Sequence, residues 1–294
     1  MKIGFIGVGN MGGPMCRNII RNTNHQVSVF DLNPAAVAAC TALGATGAAS
    51  TAAVAAEADV VFTSLPMPQH VEAVTLGPDG IAAHARAGAV LIDLSTNSPA
   101  TARRVHDGMA AKGVRMLEAP VSGGVPRATD GTIVIMVGGD AALFEANLPL
   151  LKSFSKEVIH VGPVGMGSVA KLCNNMLAFC NAAAASEALL LGAAAGIDVH
   201  KLYDVICNAS GNSDAFRGLG PKAFARNFTP GFALDLAHKD LRLALEMADE
   251  VGMPTLIAPQ VMTLMRMGRA AGMGGDDSSS VLRVYEAALR REVG

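Results

Sequence analysis

The first 31 residues contain the pattern that most restricts how this chain can fold. An apolar run over 3–6 leads into a turn with the spacing G-x-G-x-x-G, whose glycines are Gly7, Gly9 and Gly12. An amphipathic stretch follows, and then a second apolar run that ends just before Asp31. This order of strand, glycine turn, helix, strand and acid is typical of a fold that binds a dinucleotide.

Each glycine has a separate physical task in such a loop. The first permits the tight turn, the second lets the backbone approach a pyrophosphate, and the third lets the helix pack close to the strand. Unpaired N–H groups at the helix N-terminus then face the phosphates. Asp31 would accept hydrogen bonds from the ribose hydroxyls and repel a 2′-phosphate, which favours NAD over NADP. The competing interpretation is a glycine turn in an ordinary β–α unit that holds no ligand.

The composition limits the class of protein. The chain has 294 residues, enough for two domains, and no uninterrupted apolar run reaches the ~18 residues that a membrane span needs. We expect no signal peptide and a cytoplasmic location. A net charge of −2 predicts neither a nucleic-acid nor a membrane partner. The five cysteines are dispersed and the histidines lack ligand spacing, so we expect reduced thiols and no metal site.

Apolar and amphipathic segments alternate through the first half of the chain. Strands are predicted at 3–6, 26–30, 59–64, 89–94, 114–118 and 132–137, with a short edge strand at 157–161. Helices are predicted at 14–21, 34–42, 50–56, 68–73, 99–112 and 140–150. Continuous apolar strands between amphipathic helices predict an α/β fold, a Rossmann-type doubly wound parallel sheet covered on both faces.

The pattern changes after Gly167. A long alanine-rich helix is predicted over 168–195, and only helical patterns follow it, at 198–209, 213–224, 233–251, 254–273 and 277–291. We therefore predict a dinucleotide-binding Rossmann domain over residues 1–163. An all-α domain over residues 164–294 would supply the substrate and oligomer surfaces, with the long helix joining the two domains.

Several predicted strands end in residues that suit ligand binding, because parallel sheets bind ligands at the carboxyl ends of their strands. Leu65 and Pro66 follow one such strand, and Thr96 follows the next. A third strand is followed by the turn Ser122, Gly123 and Gly124, whose unobstructed N–H groups and hydroxyl can cradle a carboxylate. Ordinary loop or turn chemistry is the alternative for each of these segments.

Three polar residues share one face of the long helix. Lys171, Asn174 and Asn175 are spaced i, i+3 and i+4 among apolar neighbours. A desolvated lysine is easily tuned for proton transfer, and asparagines in a helix interior suit buried hydrogen bonding. The alternative is a solvated lysine whose stem covers apolar surface. Further along, Lys239 and Asp240 are adjacent and point to different helical faces, so the default expectation is an exposed charged pair.

Four motifs occur in an order that resembles the β-hydroxyacid dehydrogenase family, and the resemblance covers nearly the whole chain. They are GFIGVGNMG at the N-terminus, APVSGG with the following GTIVIMVGG, GMGSVAKLCNN at the start of the long helix, and HKDLRLA. Asn174 and Asn175 after the lysine are similar to the family's 3-hydroxyisobutyrate branch. Glu118 stands where the family more usually has aspartate.

The resemblance implies a role for each candidate residue. The cofactor NAD would be held by Gly7, Gly9, Asn10, Met11, Gly12, Asp31, Leu65, Pro66, Thr96 and Lys239. The substrate carboxylate would bind at Ser122, Gly123 and Gly124, with Asn174 nearby. Lys171 would be the catalytic acid and base, and Asn175 would orient the substrate or the lysine.

The implied reaction is NAD-dependent oxidation of 3-hydroxyisobutyrate to methylmalonate semialdehyde, as in valine breakdown. Two alternatives stay open: reduction of tartronate semialdehyde, glyoxylate or succinate semialdehyde within the same superfamily, and a catalytically silent dinucleotide-binding module. The alanine-rich face of the long helix permits close helix approach, so we expect a homodimer or homotetramer, with a small hydroxycarboxylate as the substrate.

Overall fold

The alternation of apolar and amphipathic segments produces the expected strands and helices in the first half of the chain. The computed structural model describes residues 1–293. Its strands are β1 (Lys2–Ile6), β2 (Gln26–Phe30), β3 (Thr46–Gly47), β4 (Val60–Thr63), β5 (Val90–Asp93), β6 (Arg115–Glu118), β7 (Val121–Ser122), β8 (Ile133–Gly139) and β9 (Ser155–Gly162). The two-residue strands β3 and β7 were not predicted, because so short a segment has no detectable period.

The helices of the first half cover the sheet and begin at residues suited to that position. They are α1 (Gly12–Asn22), α2 (Pro34–Thr41), α3 (Thr51–Glu57), α4 (Pro68–Leu76), α5 (Ile81–His84), α6 (Pro99–Ala110), α7 (Gly124–Thr129) and α8 (Ala141–Lys152). The side chains of Asn33, Ser50, Ser98 and Asp140 cap α2, α3, α6 and α8. The short helices α5 and α7 were not predicted.

The strands form one sheet in the order β3-β2-β1-β4-β5-β6-β8-β7, and β9 pairs with β8. The pairs from β3 through β6 are parallel, which confirms the predicted Rossmann-like sheet. The sheet is not parallel throughout, since β8 runs antiparallel to both β6 and β7. The chain between β7 and β8 contains only the short helix α7, which is too little for a parallel crossover.

Both faces of the central strands are buried, as in β4 and β5. Val60 and Phe62 of β4 pack in one apolar cluster, while Val61 between them packs in another. Successive side chains of a strand point to opposite faces, so the two clusters lie on the two sides of the sheet. This accounts for the continuous apolar runs in the sequence, which are typical of a sheet covered by helices on both sides.

The chain divides into two compact units, Met1–Lys171 and a second that begins at Leu172. The division falls within α9 (Met166–Ala195), later than the predicted boundary near residue 163. By length and composition α9 could cross a membrane, and 39% of its most apolar window is buried. Core helices of water-soluble proteins can have the same composition.

The part of the second unit that the structure describes is helical, as predicted. Its helices are α10 (Val199–Cys207), α11 (Asp214–Phe224), α12 (Leu234–Glu250), α13 (Ala258–Ala270) and α14 (Leu282–Leu289), with a 3-10 turn at Ser278–Val281 before α14. The buried carboxylate of Asp277 caps that turn and accepts hydrogen bonds from the N–H groups of Gly231 and Phe232. Lys222 lies 2.7 Å from the same carboxylate.

Candidate active site

The parallel strands of the first unit end in register at one edge of the sheet. Phe30 pairs with Ile6, Ile6 with Thr63, Thr63 with Asp93, and Asp93 with Glu118. The segments that follow these strand ends contain the predicted site residues from Gly7 to Gly12, Asp31, Leu65, Pro66 and Thr96. The sheet therefore gathers the predicted cofactor residues of the first unit at the edge where such folds bind ligands.

The glycine loop after β1 fits a pyrophosphate. Gly7 adopts a φ of 87°, a conformation that favours glycine. A Cβ at Gly12 would overlap the carbonyl oxygen of Gly7, whereas a Cβ at Gly9 would meet no described atom within 4 Å. The N-terminus of α1 has no side-chain cap and no acidic residue in its first turn. The loop therefore combines an open space at Gly9 with a helix end suited to an anion.

Asp31 lies directly after β2 and is partly exposed. Its Oδ2 accepts a hydrogen bond from the Val8 N–H at 2.8 Å, and its Oδ1 accepts one from the Asn33 N–H at 2.8 Å. Each carboxylate oxygen can accept a second hydrogen bond. Asp31 therefore ties the glycine loop to β2 and still has the capacity to bind ribose hydroxyls.

A buried network joins the two loops that contain Leu65 and Thr96. The Thr63 hydroxyl and the Asn97 amide each donate to Asp93, both at 2.7 Å, and burial raises the pKa of this carboxyl. The Ser95 hydroxyl accepts a hydrogen bond from the Leu65 N–H at 2.9 Å. Asp93 lies outside the four motifs, although its position at the end of a buried strand is a signal that could have identified it.

The Ser-Gly-Gly turn lies beyond β6. Its serine, Ser122, is the last residue of the short strand β7, and the two glycines follow directly. Ser122 pairs with Val134 in the antiparallel ladder and is half-buried. Gly123 and Gly124 have φ values of 137° and 67°, which explains why both positions are glycine. Carboxylate binding by Ser122, Gly123 and Gly124 stays a prediction.

Lys171 lies in the second turn of α9. The first turn of this helix is hydrogen-bonded to Glu118. The buried carboxylate at the end of β6 accepts hydrogen bonds from the N–H groups of Gly165, Gly167 and Ser168, and from the Ser168 hydroxyl at 2.6 Å. Lys171 itself is 7% exposed. The predicted burial of this lysine therefore agrees with the structure, and the solvated alternative does not.

The second unit brings Asn175, Asp240 and Lys239 together. The Asn175 amide donates to Asp240 Oδ2 at 2.7 Å, and the Lys239 ammonium lies 3.0 Å from Asp240 Oδ1. The Asn174 amide donates to Asn175 Oδ1 at 3.1 Å. The expectation of an exposed Lys239–Asp240 pair is wrong, because Lys239 is 6% and Asp240 1% exposed. The adjacent positions of Lys239 and Asp240 in the sequence do not indicate this burial, because it depends on the hydrogen bond by which Asp240 of α12 joins Asn175 of α9.

Within residues 1–293 no group of three or more histidine, cysteine, aspartate or glutamate side chains could hold a metal ion. All five cysteines in that range are free thiols.

Comparisons with known proteins agree with this arrangement. Residues 2–162 match the NAD-binding domain of 6-phosphogluconate dehydrogenase, and residues 165–285 match the NAD-binding domain of NADP-dependent 3-hydroxyisobutyrate dehydrogenase. The chain is 41% identical to 2-(hydroxymethyl)glutarate dehydrogenase of Eubacterium barkeri, over 97% of this chain and 95% of that protein. It is also 41% identical to 3-hydroxyisobutyrate dehydrogenase of Pseudomonas aeruginosa, over 96% of this chain and 98% of that one.

A solved structure extends the similarity to three dimensions. The 3-hydroxyisobutyrate dehydrogenase of Mycobacterium tuberculosis, determined with L-serine, has a TM-score of 0.88 and 34% identity, covering 97% of this chain and 98% of that one. The chain belongs to the β-hydroxyacid dehydrogenase family. It is an NAD(P)-dependent oxidoreductase of that class, which confirms the resemblance read from the four motifs.

Proposed function

We propose that this enzyme oxidises 3-hydroxyisobutyrate to methylmalonate semialdehyde with NAD, as a step of valine breakdown, and that Lys171 is its acid and base. The observation that carries the proposal is the burial of Lys171 next to the turn that Glu118 holds at the end of β6. The dinucleotide loop follows β1 at the same edge of the sheet. A buried amine at a ligand-binding edge is suited to proton transfer.

The proposed cofactor is NAD. Asp31 supports this choice because its carboxylate is partly exposed and keeps acceptor capacity, while its charge disfavours a 2′-phosphate. The loop from Gly7 to Gly12, including Asn10 and Met11, would hold the pyrophosphate. Leu65, Pro66, Thr96 and Lys239 would complete the cofactor site.

The proposed step removes a proton and a hydride from the substrate alcohol. Lys171, neutral in this direction, accepts the hydroxyl proton at Nζ while the C–O bond becomes a carbonyl. When bound, the nicotinamide supplies the acceptor for the hydride that leaves the alcohol carbon. Ser122, Gly123 and Gly124 would bind the carboxylate, and Asn175 would orient the substrate or Lys171. In the reverse direction the Lys171 ammonium returns the proton to the oxygen.

The names of the relatives give different β-hydroxyacids. The shared reaction therefore does not determine the substrate, which is distinguished by the side chain that the hydroxyacid carries. One relative is named as a dehydrogenase of 2-(hydroxymethyl)glutarate and another as a dehydrogenase of 3-hydroxyisobutyrate. The structure of the Mycobacterium tuberculosis enzyme was determined with L-serine. Reduction of tartronate semialdehyde, glyoxylate or succinate semialdehyde uses the same geometry in reverse. A silent dinucleotide-binding module would have no need of a buried lysine at the ligand edge.

A substrate panel tests the proposal. The protein is assayed with 3-hydroxyisobutyrate, 2-(hydroxymethyl)glutarate, 3-hydroxypropionate, L-serine and glycerate, each with NAD and with NADP, by the absorbance of the reduced cofactor. We expect the highest kcat/KM with 3-hydroxyisobutyrate and NAD. A higher value with another acid would reassign the substrate, and NADH binding without turnover of any of these acids or of the three aldehydes would favour the silent module.

Replacing Lys171 by alanine tests the mechanism. A positioned acid or base contributes about 10²–10⁴-fold to the rate, so Lys171→Ala should lose at least that factor in kcat while NADH binding is retained. The exposed Lys112 is a matched control, and Lys112→Ala should keep wild-type kcat. Turnover of Lys171→Ala within about threefold of wild type would remove this amine from the mechanism.

Assembly and location are part of the same proposal. We infer a homodimer or homotetramer, because α9 carries exposed Leu177 and Leu191 that a second copy of the chain could cover. Free thiols at all five cysteines suit a reducing compartment such as the cytoplasm. Light scattering of the purified protein measures the assembly directly.

A further inference from the structure

The buried carboxylate of Glu118 accepts four hydrogen bonds. Oε1 accepts from the N–H groups of Gly165 and Gly167, the latter at 2.9 Å. Oε2 accepts from the Ser168 N–H at 3.3 Å and from the Ser168 hydroxyl at 2.6 Å. Three of these donors are main-chain groups at the start of α9, so a strand-terminal side chain caps a helix that begins far along the chain.

The surroundings of this carboxylate leave it little room to move. A Cβ at Gly167 would lie 3.2 Å from Glu118 Cδ and 2.8 Å from the Met136 carbonyl oxygen. A Cβ at Gly138 would overlap Glu118 Oε1 and lie 2.9 Å from the Gly167 N–H. The glycines at 138 and 167 therefore let β8 and the first turn of α9 approach the carboxylate closely.

The capped turn lies directly before the lysine on the same helical face. Gly167 and Ser168 precede Lys171 by four and three residues, the spacings that place residues above one another on a helix. A shift of this turn would therefore move the Lys171 main chain with it. Burial raises the pKa of the Glu118 carboxyl, and its four donors favour the charged form that can accept them all.

We propose that Glu118 is a positioning residue for catalysis: by capping α9 at Gly165, Gly167 and Ser168, it fixes where the Lys171 amine stands relative to the carboxyl edge of the sheet. Glu118 touches neither substrate nor cofactor in this proposal. The inference rests on the proposed role of Lys171 as acid and base. It accounts for a buried acid that the reaction itself does not use.

Two substitutions separate the charge of the cap from its reach. In Glu118→Gln the amide NH2 would face the Ser168 N–H, a donor against a donor, so the turn loses its hydrogen bond three residues before Lys171. Glu118→Asp keeps the charge and shortens the side chain by one methylene. The control is Asp140→Ala, which removes the carboxylate that caps α8 by accepting the Leu143 N–H at 2.8 Å.

The measurements are kcat, KM for NAD, and hydrogen exchange of the peptide spanning 164–172. We expect Glu118→Gln to exchange faster there and to lose about 10²-fold in kcat, the cost of misplacing a catalytic group by about 1 Å, with KM for NAD within about twofold. Glu118→Asp should recover most of the lost kcat. Asp140→Ala should loosen α8 and keep kcat within about twofold of wild type.

Wild-type kcat in Glu118→Gln despite faster exchange would overturn the proposal, as would an equal loss of kcat in Asp140→Ala. Should Glu118→Gln not fold, Ser168→Ala removes only the hydroxyl donor and should lower kcat several-fold at unchanged KM for NAD; wild-type kcat there would refute the inference. If the wild-type protein turns over no β-hydroxyacid, the proposed function fails separately. Unchanged exchange in Glu118→Gln would then still overturn the capping role.

Discussion

Separate replacement of Gly9 and Gly12 by alanine distinguishes a loop that binds a dinucleotide from a glycine turn that only joins a strand to a helix. A Cβ at Gly12 would overlap the Gly7 carbonyl oxygen and lie 3.0 Å from Phe5 Cε1. A Cβ at Gly9 would meet no described atom within 4 Å, and its φ is outside the left-handed region. The protein itself therefore requires glycine at position 12 and has no structural need of it at position 9.

The two variants should lose different properties. Gly12→Ala forces the backbone apart at a packed contact, which costs about 1–3 kcal/mol of the free energy of unfolding. Gly9→Ala should leave that free energy within about 0.5 kcal/mol of wild type, as for other substitutions into open space. Its methyl group would stand between the backbone and the pyrophosphate. Losing one charge-assisted hydrogen bond of about 1.5–3 kcal/mol weakens NADH binding by about 10–150-fold.

The assay pairs urea unfolding of the protein without cofactor, followed by circular dichroism, with fluorescence titration of NADH. The expected result is an unchanged unfolding midpoint and a raised Kd for Gly9→Ala, and a lowered midpoint for Gly12→Ala. Wild-type NADH affinity in a folded Gly9→Ala would refute the reasoning, because it would mean that the open space at Gly9 is not occupied by the bound cofactor.

Two further substitutions test carboxylates of the two units. Asp31→Asn should lower the ratio of kcat/KM for NAD to that for NADP by about 10²-fold, because a charge that repels the 2′-phosphate and a charge-assisted ribose bond are lost together; an equal loss with both cofactors would limit Asp31 to holding Val8. Asp277→Asn should lower the free energy of unfolding by about 2–3 kcal/mol, less than a fully buried pair because Lys222 is 38% exposed. Burial alone would raise the pKa of Asp277, but Lys222 and the Ser279 donors outweigh it and hold the pKa below its usual range. The stabilisation is therefore present at neutral pH and disappears as the pH falls below about 4, so a stability difference that stayed constant between neutral and acidic pH would contradict the assignment.

The sequence predicts the sheet well because burial on two faces leaves a direct trace in it. Val60, Val61 and Phe62 form one apolar run, since neighbouring side chains enter different cores. The antiparallel end of the sheet leaves no such trace. The strand at Val121–Ser122 is too short for a period, and its direction depends on the length of the chain that follows rather than on its own residues.

The candidate site is predictable to a similar degree, and for a physical reason. The glycine loop, Asp31 and Lys171 belong to local patterns whose spacing can be read along the chain. Asp240 does not, because its function in the fold depends on Asn175 of another helix. Adjacent residues of a helix point in different directions, and this applies to Lys239 and Asp240. The same rule does not predict that the two side chains form an ion pair beside the buried Asn175 amide.

The residues that the motifs miss share one position, the last residue of a central strand. Asp93 and Glu118 are paired in the sheet register, both are buried, and burial raises the pKa of both carboxyls. Asp93 accepts a hydrogen bond from the Ser95 N–H, and the Ser95 hydroxyl accepts one from the Leu65 N–H. Glu118 holds the turn that precedes Lys171. Proton and hydride transfer require groups placed within fractions of an ångström, and loops alone do not hold them so closely. Asp93 accepts hydrogen bonds from the Thr63 hydroxyl, the Ser95 N–H and the Asn97 amide, and Glu118 accepts them from the N–H groups and the hydroxyl at the start of α9. The two acids therefore tie these segments to the edge of the sheet. We therefore expect the loss of either acid to lower the rate by displacing the reacting groups, although those groups are still present in the chain.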